Sequence, residues 1–463
     1  MKKIKLLQYS FLLVWVYPVF FLYAQNVKEV KFTEILEASG ILIICSIFII
    51  VIGRLFFRSW EAAAIFSSLQ GILLGNFMLF LNPIQKAFPQ IRYWHLITIF
   101  LLLGFLIIKF MEKKINLIHN LLLLFCIVYS SLILINGITA IPTIINKVNT
   151  IQKTDRKNDF NELSADTGAK RNIYYILCDE YASFEQLEKE FNYKNSDFEN
   201  KLKELKFNIS YTSANDCTST RIVMTNIMSL DYLVNAETTA IEMESILADS
   251  YVKKLLVNQG YKLKGIGNTA WLGIEGTQNT AGGATTSEGE TFTQLALAKT
   301  FLDPFIKRNY AGSARLIYES LVQLNNTDVI PDAAIFTLFY VCAPHHPYYF
   351  DRNGNPNPVS KYYNYEGENT DSYLGELEFL NKELSPALTR IIREDPNAII
   401  ILCSDHGNRF GITDESLGTK ILNAVYYGGE VISDIEGKSG LNTLVYIFNN
   451  EFGLDLPYRA FPN

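Results

Sequence analysis

Three acidic residues and a histidine follow apolar runs in this sequence of 463 residues. The run Ile399–Cys403 leads through a serine into Asp405 and His406, and another apolar run leads into Asp179 and Glu180. Two carboxylates and a neutral imidazole suit a divalent ion such as Mn, Mg or Zn and leave coordination positions open. The pattern predicts one metal ion on Asp179, Asp405 and His406. Glu180 is either a further ligand or an acid beside the site.

A polar turn between these motifs carries three candidate nucleophiles, Cys217, Thr218 and Thr220. The apolar stretch that begins after Arg221 predicts a helix, and the N–H groups and dipole at a helix start favour an anion. A metal ion near a threonine oxygen would make it a competent nucleophile. We predict Thr220 in this role, with Cys217 and Thr218 as alternatives and Arg221 as a further phosphate contact. The same residue types are also the preferred helix N-caps.

Three of the five histidines, His345, His346 and His406, lie just past the ends of apolar runs. A histidine beside a metal ion can donate to a phosphate oxygen or protonate a leaving group. We predict this role for His345, whereas His346 is more simply explained as a loop residue. Trp271 lies in the loop after the predicted strand Tyr261–Gly267 and is either a lining residue of the substrate site or a core residue.

The elements that must position these residues are buried strands that alternate with helical patterns over residues 172–463. Such alternation is typical of an α/β fold with a doubly wound, mainly parallel sheet. In open sheets of this kind, ligands bind just past the carboxyl ends of the strands. The motif residues are therefore expected to meet at one edge of the sheet.

The N-terminal part of the chain is rich in apolar segments long enough to cross a bilayer. Five are predicted as transmembrane helices: Leu6–Tyr23, Gly40–Phe57, Ala62–Leu81, Leu96–Phe110 and Leu117–Ile141. The first could instead be a cleaved signal peptide, because lysines precede it. Residues 1–142 are thus predicted as a transmembrane helical domain, 143–171 as a linker and 172–463 as an exported domain.

Basic residues in the short connections between these segments predict the orientation in the membrane. The more basic set comprises Lys2, Lys3, Lys5, Arg54, Arg58, Lys109, Lys113 and Lys114. This set should be cytoplasmic, so five crossings leave the residues after Pro142 outside the cytoplasm.

Charge and cysteine usage exclude some functions. The net charge is −6 and no basic arm is present, which gives no indication of nucleic-acid binding. The six cysteines do not have the spacing of a zinc signature.

The motifs resemble those of the alkaline phosphatase and sulfatase superfamily. They are the strand that ends at Asp179, the turn at 217–220, His-x-Pro-Tyr at 345–348 and Ser-Asp-His-Gly at 404–407. The predicted membrane helices ahead of an exported domain resemble the membrane-anchored branch of that superfamily, the lipoteichoic acid synthases and phosphoethanolamine transferases. The resemblance spans roughly residues 172–457.

This resemblance implies four metal ligands: Asp179, Thr220, Asp405 and His406. It also implies that Thr220 is the nucleophile and that His345 binds the substrate. The implied reaction moves a phosphoethanolamine or phosphoglycerol head group from a membrane phospholipid to a glycan or lipid acceptor, through a covalent threonine intermediate. The implied location is the plasma (inner) membrane of a bacterium, with the catalytic domain on the extracytoplasmic side.

Two other functions remain open from the sequence. A sulfatase or phosphodiesterase of the same fold would hydrolyse its substrate, but sulfatases need Cys-x-Pro/Ala-x-Arg and this chain has Ser219 in the middle position. A non-catalytic membrane binding protein is the third, and the intact Asp179, Asp405 and His406 argue against it.

Overall fold

The computed structural model describes residues 9–27, 30, 33–153, 170–276, 292–306, 310–358, 369–410, 412–432 and 434–462. These residues form two compact units. The first unit holds the described residues up to Thr150 together with residues 292–306, and the second holds the remainder.

The first unit is helical, and every predicted membrane segment overlaps a helix. Its helices are α1 (Ser10–Gln25), α2 (Glu34–Phe56), α3 (Trp60–Gly75), α4 (Phe77–Ala87), α5 (Tyr93–Met111) and α6 (Ile115–Lys153). Three of these are long and apolar enough to cross a membrane: α2, α5 and residues 116–141 of α6. The pair α3 and α4 is a fourth if it is taken as one bent span, and α1 is a shorter apolar helix. The described residues therefore contain three or four candidate spans.

The third predicted segment is not one straight helix, because α3 and α4 meet at an angle of 57°. Asn76 lies at the break, where Phe301 N donates to Leu74 O (2.9 Å) and Met78 N donates to Lys299 O (3.2 Å). These main-chain bonds satisfy polar groups that a continuous helix would have paired internally. The break is thus completed by a segment more than 200 residues further along the chain.

Two predicted boundaries differ from the structure. Residues 143–153, predicted as part of the linker, continue helix α6, because Ile144, Ile145 and Val148 recur at helical spacing. Residues 154–169 of the predicted linker lie outside the described residues. Residues 292–306 were predicted within the exported domain but belong to the first unit. The reason is that the short helix α12 (Phe292–Leu297) has both of its end residues buried among apolar side chains of α1 to α6.

The second unit confirms the predicted α/β fold with a mainly parallel sheet. Its strands are β1 (Ile173–Cys178), β2 (Asn208–Ser210), β3 (Lys262–Gly267), β4 (Ile335–Val341), β5 (Ile399–Cys403) and β6 (Asn423–Tyr427). The sheet order is β2-β6-β5-β1-β4-β3. The pairs β1–β4, β1–β5 and β3–β4 are parallel, whereas β6 pairs antiparallel with β2 and β5.

Helices cover both faces of this sheet. They are α7 (Phe184–Phe191), α8 (Ser196–Glu204), α9 (Thr220–Ser229), α10 (Ala240–Ala248), α11 (Tyr251–Asn258), α13 (Tyr310–Asn326), α14 (Asn369–Glu394) and α15 (Gly440–Phe452). Strand β1 is buried on both sides: Tyr174 and Ile176 face a core with α7, α8, α13 and α14, and Tyr175 and Leu177 face a core with α9, α11 and α15. This two-sided burial explains why β1 is a continuous apolar run.

A buried acid on α14 leads to a prediction about stability. The side chain of Glu376 is fully buried, and its Oε1 accepts hydrogen bonds from Tyr349 N (2.9 Å) and Phe350 N (3.2 Å). Burial raises the pKa of Glu376 well above its usual value. The folded state therefore holds a proton that the unfolded state releases, so stability falls as the pH rises above about 4.3, the unfolded value for glutamate.

We expect Glu376→Gln to be more stable than the native chain at pH 8, with a difference that shrinks towards pH 5. Each unit of pKa shift that is titrated corresponds to about 1.4 kcal/mol. Apparent melting temperatures of the detergent-solubilised protein across this pH range measure the difference. Glu378→Gln on the same helix is the matched control, because the Glu378 side chain is 32% exposed, whereas that of Glu376 is fully buried. A difference that does not change with pH would contradict the prediction.

Candidate metal centre

The parallel register of the central strands brings the predicted metal ligands together. Strand β1 lies between β4 and β5, and Leu177 pairs with Cys403. Asp179 follows the end of β1 directly, and Asp405 comes two residues after the end of β5. Because both strands run in the same direction, the two carboxylates reach the same edge of the sheet.

Asp179, Asp405 and His406 form a compact buried cluster. One ligand atom from each residue can be chosen so that all three lie within 4.8 Å of one another. His406 Nδ1 lies 2.7 Å from Gly407 O. A carbonyl oxygen only accepts hydrogen bonds, so Nδ1 carries the hydrogen and the Nε2 lone pair faces the cluster. This is the tautomer that a metal ligand requires.

The donor atoms of the cluster are suited to a cation. The Oδ2 atom of Asp405 is buried and has no hydrogen-bond partner, and it lies 3.3 Å from His406 Nε2. A buried carboxylate oxygen without a donor is costly unless a positive charge offsets it. Two oxygen donors and one imidazole nitrogen fit Mn, Mg or Zn. The donor set does not select among the three ions.

The two aspartates have opposite pKa shifts. Burial and the nearby Asp405 raise the pKa of Asp179 above its usual value. Burial acts in the same direction on Asp405, but His406 and hydrogen bonds from Thr220 and from Glu180 N outweigh it and lower the pKa of Asp405. A divalent cation would favour the ionised form of both carboxylates.

Thr220 has a side chain that contacts the cluster. It is the first residue of α9, and its Oγ1 lies 3.4 Å from both Asp179 Oδ1 and His406 Nε2. Ser219 occupies the N-cap position, and its side chain makes no capping hydrogen bond. Thr220 therefore lies inside the helix and is not its cap. The start of α9 faces the cluster with the dipole orientation that favours an anion.

The alternative nucleophiles have different surroundings. Cys217 is partly buried against apolar side chains, and burial raises its pKa to about 11. A thiol with this pKa is almost entirely protonated at neutral pH and is a weak nucleophile. The carbonyl of Thr218 accepts a hydrogen bond from Arg409 Nη1 (3.2 Å).

The side chain of Glu180 contacts residues outside the cluster of three. Its Oε1 accepts from Arg409 N (3.0 Å), and its Oε2 lies 3.8 Å from His345 Nε2. Its main-chain N–H donates to Asp405 Oδ1 (3.1 Å), and its φ is +63°, which is uncommon for a residue with a side chain. Of the two roles predicted for Glu180, this geometry fits the acid beside the site.

Arg409 was missed by the sequence analysis. Its Nη2 lies 3.0 Å from His345 Nε2, and because a guanidinium only donates, this nitrogen of His345 accepts. The sequence feature that could have identified Arg409 is its position four residues after Asp405, in the same strand-end loop. Burial would lower the pKa of His345, but Asp179 and Glu180 outweigh it and raise that pKa. The contact with Arg409 requires a neutral ring, and a cation on Asp179 would oppose the rise.

The other predicted residues lie around this centre. The ring of Trp271 packs edge-on against Tyr340 at 5.9 Å, and the Tyr340 hydroxyl donates to Asp179 Oδ2. His346 is buried, with its ring 5.5 Å from those of Tyr348 and Phe410. Arg221 is the second residue of α9 and is partly buried. Tyr340 was also missed, since a tyrosine inside a strand is ordinary.

Comparisons with known proteins gave similarities at the level of structure. No protein-family model matches the chain, and no curated protein sequence matches it. The integral membrane protein lipooligosaccharide phosphoethanolamine transferase A from Neisseria meningitidis is 12% identical, with 97% of this chain and 95% of that chain covered and a TM-score of 0.43.

Two further solved structures cover less of the chain. The C-terminal periplasmic domain of EptC from Escherichia coli, in complex with Zn, is 12% identical, covering 62% of this chain and 84% of that chain with a TM-score of 0.40. BT1596, a 2-O GAG sulfatase, is 11% identical, and the match covers 62% of this chain and 72% of that chain with a TM-score of 0.37. The solved structures to which this chain is similar thus include phosphoethanolamine transferases and sulfatases, the two groups that its motifs resemble.

Proposed function

We propose that this chain is a membrane-bound, metal-dependent transferase. It moves a phosphate-linked head group, phosphoethanolamine or phosphoglycerol, from a phospholipid to a glycan or lipid acceptor. The observation that carries the proposal is the position of Thr220 Oγ1, 3.4 Å from both Asp179 Oδ1 and His406 Nε2 at the start of a helix. Apolar helices long enough to cross a bilayer suit an enzyme whose donor is a lipid.

The residues have distinct roles in this reaction. Asp179, Asp405, His406 and Thr220 would hold one divalent metal ion. When bound, the ion lowers the pKa of a hydroxyl or water ligand and stabilises charge on phosphoryl oxygens. Thr220 Oγ1 attacks the phosphorus of the donor, and the bond from phosphorus to the diacylglycerol oxygen breaks. That oxygen gains a proton as Thr220 loses one.

The second half of the reaction reverses these roles. The acceptor hydroxyl attacks the phosphorus of the Thr220 ester, the bond to Thr220 breaks, and Thr220 regains a proton as the acceptor loses one. The N–H groups at the start of α9 face the phosphate in both steps and favour its negative charge. Splitting one difficult transfer into two easier ones is the benefit of covalent catalysis.

The proposed location is the plasma (inner) membrane of a bacterium, with the second unit on the extracytoplasmic side. The support is the excess of lysine and arginine in one set of connections between the apolar segments. A phospholipid donor and a glycan or lipid acceptor are both available at that surface.

The test uses the full-length protein in detergent with each of three probes: phosphatidylethanolamine, phosphatidylglycerol and an aryl sulfate. We expect release of diacylglycerol from one lipid, together with a mass increase on the intact protein that peptide mapping assigns to Thr220. Steady hydrolysis of a probe without a protein adduct would favour a hydrolase instead. Bound metal with no reaction on any probe would favour a non-catalytic binding protein.

A further inference from the structure

Arg409 connects three segments that surround the metal cluster. Its main-chain N–H and its Nε both reach Glu180 Oε1, at 3.0 and 3.5 Å. Its Nη1 donates to Thr218 O at 3.2 Å, and its Nη2 donates to His345 Nε2 at 3.0 Å. These partners lie after β1, before α9 and after β4, so one side chain joins loops that are far apart in the sequence.

The geometry requires an arginine. A guanidinium presents five N–H donors in a rigid planar fork, whereas a lysine offers one compact ammonium on a flexible stem. Here Nε, Nη1 and Nη2 each serve a different partner. The Arg409 side chain is 29% exposed, so the guanidinium is held within the site and remains accessible to a ligand.

Glu180 anchors the arginine at a cost to the fold. Its side chain is fully buried, and a buried carboxylate is expensive unless it is paired. Its left-handed backbone (φ +63°) is strained, and such strain persists only where surrounding contacts enforce it. Such costs concentrate at functional sites. The anchoring of Arg409 is a use of Glu180 that accounts for both.

Two of the Arg409 contacts restrain the residues proposed to act on the substrate, Thr220 and His345. The Thr218 carbonyl lies two residues before Thr220, so its bond with Arg409 restrains the turn from which the nucleophile projects. The bond with His345 holds the ring so that Nε2 accepts and Nδ1 carries the hydrogen. Misplacement of a reacting group by about 1 Å costs roughly 100-fold in rate.

We propose that Arg409, anchored by Glu180, is a positioning residue that aligns Thr220 and His345 for the transfer of the phosphate-linked group. This inference rests on the proposed function and adds a residue to its machinery. Arg409 acts through Thr218 and His345, so its removal should slow the chemical step more than it weakens donor binding or metal binding.

The test compares Arg409→Ala and Arg409→Lys with the native full-length protein. We expect formation of the Thr220 adduct to slow about 100-fold in both variants, with metal content unchanged and a smaller change in KM for the phospholipid donor. Added guanidinium ion should restore part of the rate of Arg409→Ala, whereas methylammonium should not. Arg459→Ala is the matched control, because Arg459 is partly exposed and pairs with Asp231 outside the site; its rate should stay native and be insensitive to guanidinium.

A second readout does not depend on turnover. Diethyl pyrocarbonate modifies neutral imidazole nitrogens, and Arg409 occupies Nε2 of His345. Mass-spectrometric mapping should show several-fold faster modification of His345 in Arg409→Ala, relative to His346 in the same protein. If Arg409→Ala does not fold, Glu180→Gln is the second variant, because it removes the carboxylate that anchors Arg409. It should lower the rate of Thr220 adduct formation about tenfold.

The outcomes separate the two proposals. If the native protein forms no adduct on Thr220, the proposed function fails, and the labelling of His345 still decides whether Arg409 holds that ring. If the native protein forms the adduct, a native rate in Arg409→Ala overturns the inference and leaves the proposed function intact. Equal labelling of His345 in the native protein and in Arg409→Ala also overturns the inference about Arg409. A rate loss that is explained by lost metal overturns it as well.

Discussion

Replacing Thr220 by alanine is expected to abolish formation of the covalent adduct and to lower the transfer rate by about 10⁴-fold or more. The reason is that its Oγ1 is the hydroxyl oxygen within 3.4 Å of both Asp179 Oδ1 and His406 Nε2. Thr220→Ser keeps a hydroxyl at this position and should retain measurable transfer, with the adduct now on serine. Intact-mass measurement and peptide mapping after incubation with phosphatidylethanolamine or phosphatidylglycerol detect both results.

Cys217→Ser is the matched control for this prediction. Cys217 lies three residues earlier in the same turn, and burial raises its pKa to about 11, so its thiol is not activated. We expect the control to form the adduct on Thr220 at close to the native rate. An adduct that maps to Cys217, or one that survives Thr220→Ala, would contradict the assignment and favour the sulfatase-like alternative.

The second large effect concerns the metal ion. Asp405→Asn and His406→Ala should each weaken metal binding by more than about 100-fold and abolish transfer, because the first removes the charge of one ligand and the second removes a ligand from a cluster of three. Asp405→Asn preserves the shape of the side chain and removes the negative charge that we infer the cation offsets at Oδ2. Elemental analysis of the purified full-length variants measures the bound ion.

Glu376→Gln is the control for the metal prediction, because it changes a buried acid that is not part of the cluster. It should bind the same amount of metal as the native protein. Removal of the ion by chelation should stop transfer in the native protein, and addition of Mn, Mg or Zn should restore it. Full activity of either ligand variant after exhaustive chelation would mean that the cluster has a structural role.

Much of the architecture follows from patterns within the sequence. The run Ile399–Cys403 is apolar throughout because both faces of its strand are covered, which is the property of a central parallel strand. Residues 143–153, predicted as linker, are helical, and the helical spacing of their apolar residues already indicates this in the sequence. The third predicted span is bent at Asn76, and this bend could not be predicted from the sequence because it involves main-chain partners at 299–301.

The same distinction between local patterns and distant contacts applies to the candidate site. The sequence by itself determined the cluster of Asp179, Asp405 and His406, because parallel strands end at one edge of a sheet and each motif follows a strand. Only the tertiary structure decided the place of Arg409, because each of its partners comes from a different loop and no spacing along the chain encodes their meeting. The same holds for residues 292–306, whose apolar side chains are buried by helices from the other end of the sequence. A local pattern predicts which element a residue joins, whereas contacts between distant segments depend on how the whole chain packs.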